Sequence, residues 1–260
     1  MKGEWVMKIH ESKAIVTGGA SGIGEACVRR IVDGGGRVAI LDMQDEKGKT
    51  LATSLGDSVM FIHADVTDDA GVSQAIDAAA KRFSGINVAI NCAGIGGACK
   101  VLDAGTGPMS MQFFESRIQV NLIGTMRVLV KAAAKMAENV PNGDGERGVI
   151  INTSSVAASQ GQIGQAAYSA SKAGIEGLML PVARELGRHG IRVVTIAPGA
   201  IDTPMFANVP DKAREALFKA IPFPKRLGRP IEYALLAKHL IENAYLNGEI
   251  YKITGALRMA

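Results

Sequence analysis

Tyr168 and Lys172 stand four residues apart, a spacing that puts both side chains on one face of a helix. A free tyrosine titrates near ~10 and is a poor base at neutral pH. An ammonium beside it stabilises the phenolate and brings it toward the working range, which suits proton exchange with an alcohol. Ser155 lies thirteen residues before Tyr168, where a hydroxyl would hold a substrate oxygen next to the phenol. Ser154 is an equal candidate on spacing alone. Asn121, in Val120-Asn121-Leu122, is a polar residue within an apolar helical stretch and lowers its helix propensity. It reads either as a solvent-facing Asn or as a functional kink that holds a water.

A second constellation precedes these. Thr17-Gly18-Gly19-Ala20-Ser21-Gly22-Ile23-Gly24 follows a short apolar run and opens a helical stretch. Glycines 18, 22 and 24 let the backbone turn sharply and bring the helix N–H groups against a pyrophosphate, where the helix dipole favours the anion. Asp42 ends the next apolar run, 18 residues past Gly24. A carboxylate there accepts hydrogen bonds from the adenosine ribose hydroxyls and repels the additional phosphate of NADP. No Arg or Lys occupies 43–46 to offset that repulsion, so the expected cofactor is NAD. Asp65 and Val66 are placed to meet the adenine, and Asn91-Cys92-Ala93-Gly94 to let the backbone approach the ribose.

The elements that must hold these groups follow from the hydrophobic pattern. Strands are expected at 14–17, 37–41, 59–63, 88–91, 149–153, 192–196 and 249–253, and helices at 22–32, 46–55, 69–83, 111–138, 166–188 and 231–242. Strands apolar on both faces and separated by helices predict a single Rossmann-type, doubly wound α/β domain over 1–260, with about seven parallel strands. Two long Gly- and Pro-rich connections, 94–110 and 198–229, each follow a strand and should border the site. Within the second, 211–220 reads as a short charged helix, either a lid or an ordinary surface helix.

Bulk composition excludes several other classes. With 47% hydrophobic and 21% charged residues the chain is ordinary for a folded domain, and no apolar run reaches the ~18 residues of a membrane span. The net charge of +4 is scattered, without the basic clusters and interleaved aromatics of a nucleic-acid binder. Cys27, Cys92 and Cys99 form no C-x-x-C pair and leave one thiol over, which suits a reducing compartment. His10, His63, His189 and His239 lie too far apart to suggest a metal. Residues 1–12 carry neither an apolar signal core nor an arginine, so a cytoplasmic location is expected.

Taken in order, the glycine turn 17–24, Asn91–Gly94, Asn121, Ser155, Tyr168-x-x-x-Lys172 and Pro198-Gly199 resemble the short-chain dehydrogenase/reductase family over essentially the whole chain. The resemblance implies that Tyr168 is the acid/base and that Lys172 binds the nicotinamide ribose and lowers the Tyr168 pKa. It also implies that Ser155, rather than Ser154, orients the substrate oxygen, that Asn121 completes a proton relay, and that the protein is a homotetramer. Within the family, Arg147-Gly148-Val149-Ile150-Ile151-Asn152-Thr153, the segment 161–172, Leu180-Pro181-Val182-Ala183-Arg184, Pro222-Phe223-Pro224, Arg226-Leu227-Gly228 and Asn247-Gly248-Glu249 resemble the type-2 3-hydroxyacyl-CoA dehydrogenase branch. That likeness implies NAD contacts at Ser21, Ile23, Asp42, Asp65, Val66, Cys92, Tyr168, Lys172, Ile201 and Thr203. Loops 96–112 and 202–221 depart from the branch.

The expected activity is therefore reversible oxidation of a 3-hydroxyacyl-CoA to its 3-ketoacyl-CoA with NAD. Gln162 and Gln165 would meet the acyl thioester. Lys212, Arg214, Lys219 and Lys225 would attract the CoA phosphates. Two other readings stand beside it: a dehydrogenase of hydroxysteroids or other small secondary alcohols, and a non-catalytic NAD-binding scaffold. The partner is a small molecule, with no nucleic acid, membrane or metal.

Overall fold

The computed structural model describes residues 6–207, 209 and 211–259; the targeting reading of 1–12 falls partly outside them. Seven strands form one parallel sheet: β1 (Lys13–Thr17), β2 (Arg37–Asp42), β3 (Val59–His63), β4 (Val88–Asn91), β7 (Gly148–Thr153), β8 (Ile191–Pro198) and β9 (Ile250–Ile253). Their order is β3-β2-β1-β4-β7-β8-β9, so the winding reverses between β1 and β4. That switch point, at the carboxyl ends of the strands, is where an open α/β sheet leaves a crevice.

Helices cover both faces, which is why the strands are apolar throughout. Helices α1 (Gly22–Asp33), α2 (Asp45–Leu55) and α9 (Pro230–Glu242) pack Val28, Ile31, Leu51, Leu240 and Ile241 against Val16 and Ile40. On the other face are α3 (Asp69–Phe83), α5 (Gly124–Ala137) and α6 (Ala166–Gly187). There Ile76, Phe83, Leu129 and Met179 meet Ile15, Leu41 and Ile150. Successive residues of β1 thus feed opposite cores, as the two-residue period of a strand requires.

All seven expected strands and six expected helical stretches are present, with three refinements. The stretch read as one helix over 111–138 is α4 (Met111–Arg117), then a wider π-helical turn (Ile118–Ile123) around Asn121, then α5. Connection 94–110 contains a two-residue hairpin, β5 (Leu102–Asp103) against β6 (Gly107–Pro108), too short for any alternation to reveal. Connection 198–229 carries α7 (Pro204–Ala207) as well as the expected α8 (Asp211–Ala220). Helix α6 runs unbroken past Pro181, although an interior proline costs ~3 kcal/mol in propensity. Tertiary packing overrides the local preference: Ala167, Ile175, Met179 and Ala183 of α6 are buried. Among the described residues no helix is long and apolar enough to cross a membrane.

Candidate active site

Two adjoining clefts open over the carboxyl ends of the strands. The first, about 570 Å³, is lined by the glycine turn, Asp42, Asp65, Val66 and the 92–95 segment. Its floor is built by close backbone approach. Gly18 has φ +63°, and a Cβ there would lie 2.8 Å from the Ala93 nitrogen. A Cβ on Gly24 would lie 2.1 Å from the Gly18 carbonyl oxygen. Ser21 precedes α1 without supplying a side-chain cap, so the N–H groups of Gly22, Ile23 and Gly24 remain available to an anion in the cleft. The Asp42 carboxylate is 8% exposed and accepts hydrogen bonds from the Ala20 and Gln44 amides, each at 3.0 Å. It therefore ties the glycine turn to β2 while still edging the cleft, so the turn-forming and ligand-facing uses of this residue coexist. Asp65 accepts from the Thr67 amide and hydroxyl, both at 2.8 Å. These features fit a dinucleotide: small residues where the backbone must come close, unpaired amides for a pyrophosphate, and a carboxylate at the far end.

Asn91 departs from expectation. It is buried, its amide donates to Asn152 Oδ1 at 2.9 Å, and it lines neither cleft. It is a rung between β4 and β7, adjacent strands in the sheet.

The second cleft, about 400 Å³, holds Ser155, Tyr168, Lys172, Gln162, Gln165, Pro198, Gly199, Ile201 and Thr203. Ser155 accepts from the Ala157 amide at 3.1 Å, beginning a single 3₁₀ turn, and its side chain lines the same pocket as Tyr168. Ser154 is used differently: it donates to the Lys172 carbonyl at 3.1 Å and to Glu176 at 2.9 Å, fastening α6 to β7. The geometry thus separates the two serines that spacing could not. Lys172 Nζ lies 5.8 Å from the Tyr168 ring centre and donates to the Thr153 carbonyl at 2.8 Å.

The electrostatics differ from the simple expectation. Burial pushes the Tyr168 phenol above its ordinary value, and the nearby Ser155 hydroxyl pulls it partly back. Burial also drives Lys172 down to about 8, the charge of the Cys92 thiol opposing it. The lowering of Tyr168 comes from Ser155 and not, as expected, from Lys172, and burial outweighs it. Desolvation dominates both groups, because apolar surroundings penalise the phenolate and the ammonium alike.

Asn121 is wholly buried, not solvent-facing. Its Oδ1 accepts from the Ile95 amide at 2.8 Å, while Nδ2 donates to the Ile95 carbonyl and to Ser171 Oγ, each at 3.0 Å. Its side chain is committed to holding the segment after β4 against α6. Gln165 likewise is partly occupied, accepting from the Gln162 amide at 2.9 Å. Lys212, Arg214, Lys219 and Lys225 do not line the pocket, and Arg214 is paired with Asp211. Sequence reading missed the apolar wall of Ala98, Met205, Phe206, Val209, Leu217 and Met259. Its residues come from three separated segments, and only the lengths of 94–110 and 198–229 hinted at it.

A parallel sheet with a glycine turn at its switch point and a Ser-Tyr-Lys group lining the adjoining pocket defines a dehydrogenase of the dinucleotide-binding class. The short chain dehydrogenase family profile matches residues 12–214, and the chain belongs to that family. It is 49% identical over 247 residues to the 3-hydroxyacyl-CoA dehydrogenase type-2 of Bos taurus, covering 95% of each chain. It also resembles the crystal structure of 3-hydroxyacyl-CoA dehydrogenase type-2 from Mycobacterium avium, with TM-score 0.90, 43% identity and coverage of 95% and 96% of the two chains. A 3-ketoacyl-(acyl-carrier-protein) reductase from Brucella melitensis complexed with NADH superposes with TM-score 0.85 at 28% identity, over 96% of this chain and 99% of that one.

Proposed function

We propose that this chain is a single-domain, NAD-dependent dehydrogenase that interconverts 3-hydroxyacyl-CoA and 3-ketoacyl-CoA thioesters. The observation that carries the reading is the gathering of Ser155, Tyr168 and Lys172 in one pocket, where that pocket meets the dinucleotide cleft. Bound NAD would supply the hydride acceptor for the carbinol carbon. Ser155 fixes the substrate oxygen, and Tyr168 takes its proton. Lys172, held by the Thr153 carbonyl, supplies positive charge near the phenol. The glycine turn, Ser21, Ile23, Asp42, Asp65, Val66, Cys92, Ala93, Gly94 and Thr203 hold the dinucleotide, while Pro198, Gly199 and Ile201 border the reacting end. Asn121 supports the family's proton relay by fixing the segment that walls it. The apolar wall suits an acyl chain, with 198–229 as the lid.

Among the described residues Lys172 is the one basic residue lining this pocket, which favours a second reading, oxidation of an uncharged secondary alcohol such as a hydroxysteroid. Turnover of acetoacetyl-CoA and of free cyclic and steroid ketones, each with NADH and NADPH, separates the two. Preference for acetoacetyl-CoA with NADH is expected; preference for free ketones by orders of magnitude would overturn the CoA assignment. Tyr168→Phe should lower turnover roughly 10²–10⁴-fold, the usual worth of a positioned acid/base, with NADH binding retained by fluorescence titration. Full turnover in that variant would leave the chain a cofactor-binding scaffold.

The assembly we infer is a homotetramer. Met126 and Val130, 37% and 51% exposed, flank an apolar hollow with Leu122, Ile123, Gly174 and Leu178, a face suited to a second copy of the chain. Three free thiols support a reducing, cytoplasmic setting.

A further inference from the structure

The turn that brings Asp65, Val66 and Thr67 to the first cleft leaves β3 and ends at Asp68, whose carboxylate accepts from the Ala70 amide at 3.1 Å and caps α3. Most of its bonds are internal. The Asp65 carboxylate takes the Thr67 amide and hydroxyl, and the Asp65 carbonyl takes the Asp68 amide at 3.0 Å. Such bonds fix the shape of the turn but not how far it reaches into the cleft. Contacts from α5 set that. A Cβ on Gly124 would lie 2.7 Å from Val66 Cγ2, so the first residue of α5 packs directly on the Val66 side chain. Three residues on, along the same helix face, Arg127 Nη1 donates to the Val66 carbonyl and Arg127 Nε to Asp69 Oδ1 at 3.2 Å. One planar guanidinium thus spans the turn from Val66 to the start of α3. The Arg127 side chain is 17% exposed, against 70% for Asp69. Lys131, a helical turn further along α5, pairs with the other oxygen of the same carboxylate at 3.0 Å.

We propose that Arg127 is a positioning residue for the cofactor: by gripping the Val66 carbonyl from α5, it fixes the wall of the cleft against which the adenosine end rests. This placement rests on the reading of the first cleft as the dinucleotide site. A guanidinium suits the task because its donors point in fixed directions and can meet a carbonyl and a carboxylate at once, which an ammonium on a flexible stem does less well. Arg127 itself lines neither cleft, so it acts through Val66 and not by touching the ligand. Its loss should shift the adenosine wall and leave Ser155, Tyr168 and Lys172 where they are. The consequence belongs to binding, since an interaction that serves ground and transition states equally changes KM and not kcat. A residue that only stabilised the fold would instead lower the melting temperature without changing the affinity of the folded protein.

The test titrates full-length Arg127→Met with NADH and, separately, with ADP-ribose, which keeps the adenosine and pyrophosphate but lacks the nicotinamide. Both should bind about tenfold more weakly, the lower end of what a hydrogen bond from a charged donor is worth, and by the same factor. In turnover with whichever ketone the native protein reduces, KM for NADH should rise to a similar extent, with kcat at saturating NADH within about twofold of native. Asp69→Asn releases the guanidinium at its exposed end only. It should weaken NADH about two- to threefold, because an exposed ion pair contributes little. Unaltered affinity for NADH and ADP-ribose in folded Arg127→Met overturns the proposal, as does a fall in kcat at unchanged KM. Should Arg127→Met not fold, Arg127→Gln, too short to bridge Val66 and Asp69 together, carries the same titrations, and native affinity there overturns it equally. Failure of the native protein to bind NADH would defeat the cofactor assignment and this inference with it, whereas native binding that Arg127→Met retains in full defeats this inference alone.

Discussion

Lys172 shows how much burial matters to single residues in this site. It is 5% exposed, and its ammonium is lowered from the usual 10.5 to about 8. Below about pH 8 the folded and unfolded chains both carry the proton, and the fold bears the whole cost of enclosing the charge. Between about 8 and 10.5 only the unfolded chain retains it, so this residue's contribution to stability improves as pH rises through that window. Urea midpoints of the native protein should therefore gain on those of Lys172→Met across this range, and a constant gap would show that the ammonium is not desolvated. Tyr168 is raised by the same burial. The anion that catalysis requires is thus favoured by Ser155, which opposes that burial.

At the scale of elements, the site depends on how the segment after β4 is held. Asn121 brackets both backbone groups of Ile95, and Arg117 donates twice to the Gly96 carbonyl, at 3.1 and 3.0 Å. Asn121→Ala leaves the Ile95 amide and carbonyl unpaired in a partly buried setting, a loss of about 1–3 kcal/mol. It should lower the urea midpoint and speed amide exchange at Ile95, and unaltered exchange there would contradict the bracketing role. The strands and long helices were legible in the sequence, because strands apolar on both faces and amphipathic helices such as α1 and α3 leave strong periodic signals. The glycine turn, Asp42, Tyr168 and Lys172 were legible through spacing along the chain. Three things were not. The π turn around Asn121 obeys no hydrophobic period, the Asn91–Asn152 rung depends on strand adjacency, and the balance of burial against charge at Tyr168 requires the surrounding volume.

At the scale of the molecule, both faces of the sheet are covered, yet the outer surface of α5 and α6 remains apolar at Met126, Val130 and Leu180. Val130→Glu places a charge in that surface, and burying an unpaired carboxylate costs several kcal/mol. Sedimentation should show the proposed tetramer breaking into smaller species with the fold intact by circular dichroism. An unchanged assembly would place the subunit contact elsewhere.

Ile23, Cys92, Gly94, Thr203 and Met205 belong to the walls of both clefts. The dinucleotide and the alcohol are consequently not independent tenants: whichever arrives first rebuilds the boundary the other will touch. A molecule laid along the glycine turn becomes part of the surface that receives the substrate. Selectivity for the second ligand is then a property of a composite receptor, assembled anew in each catalytic cycle.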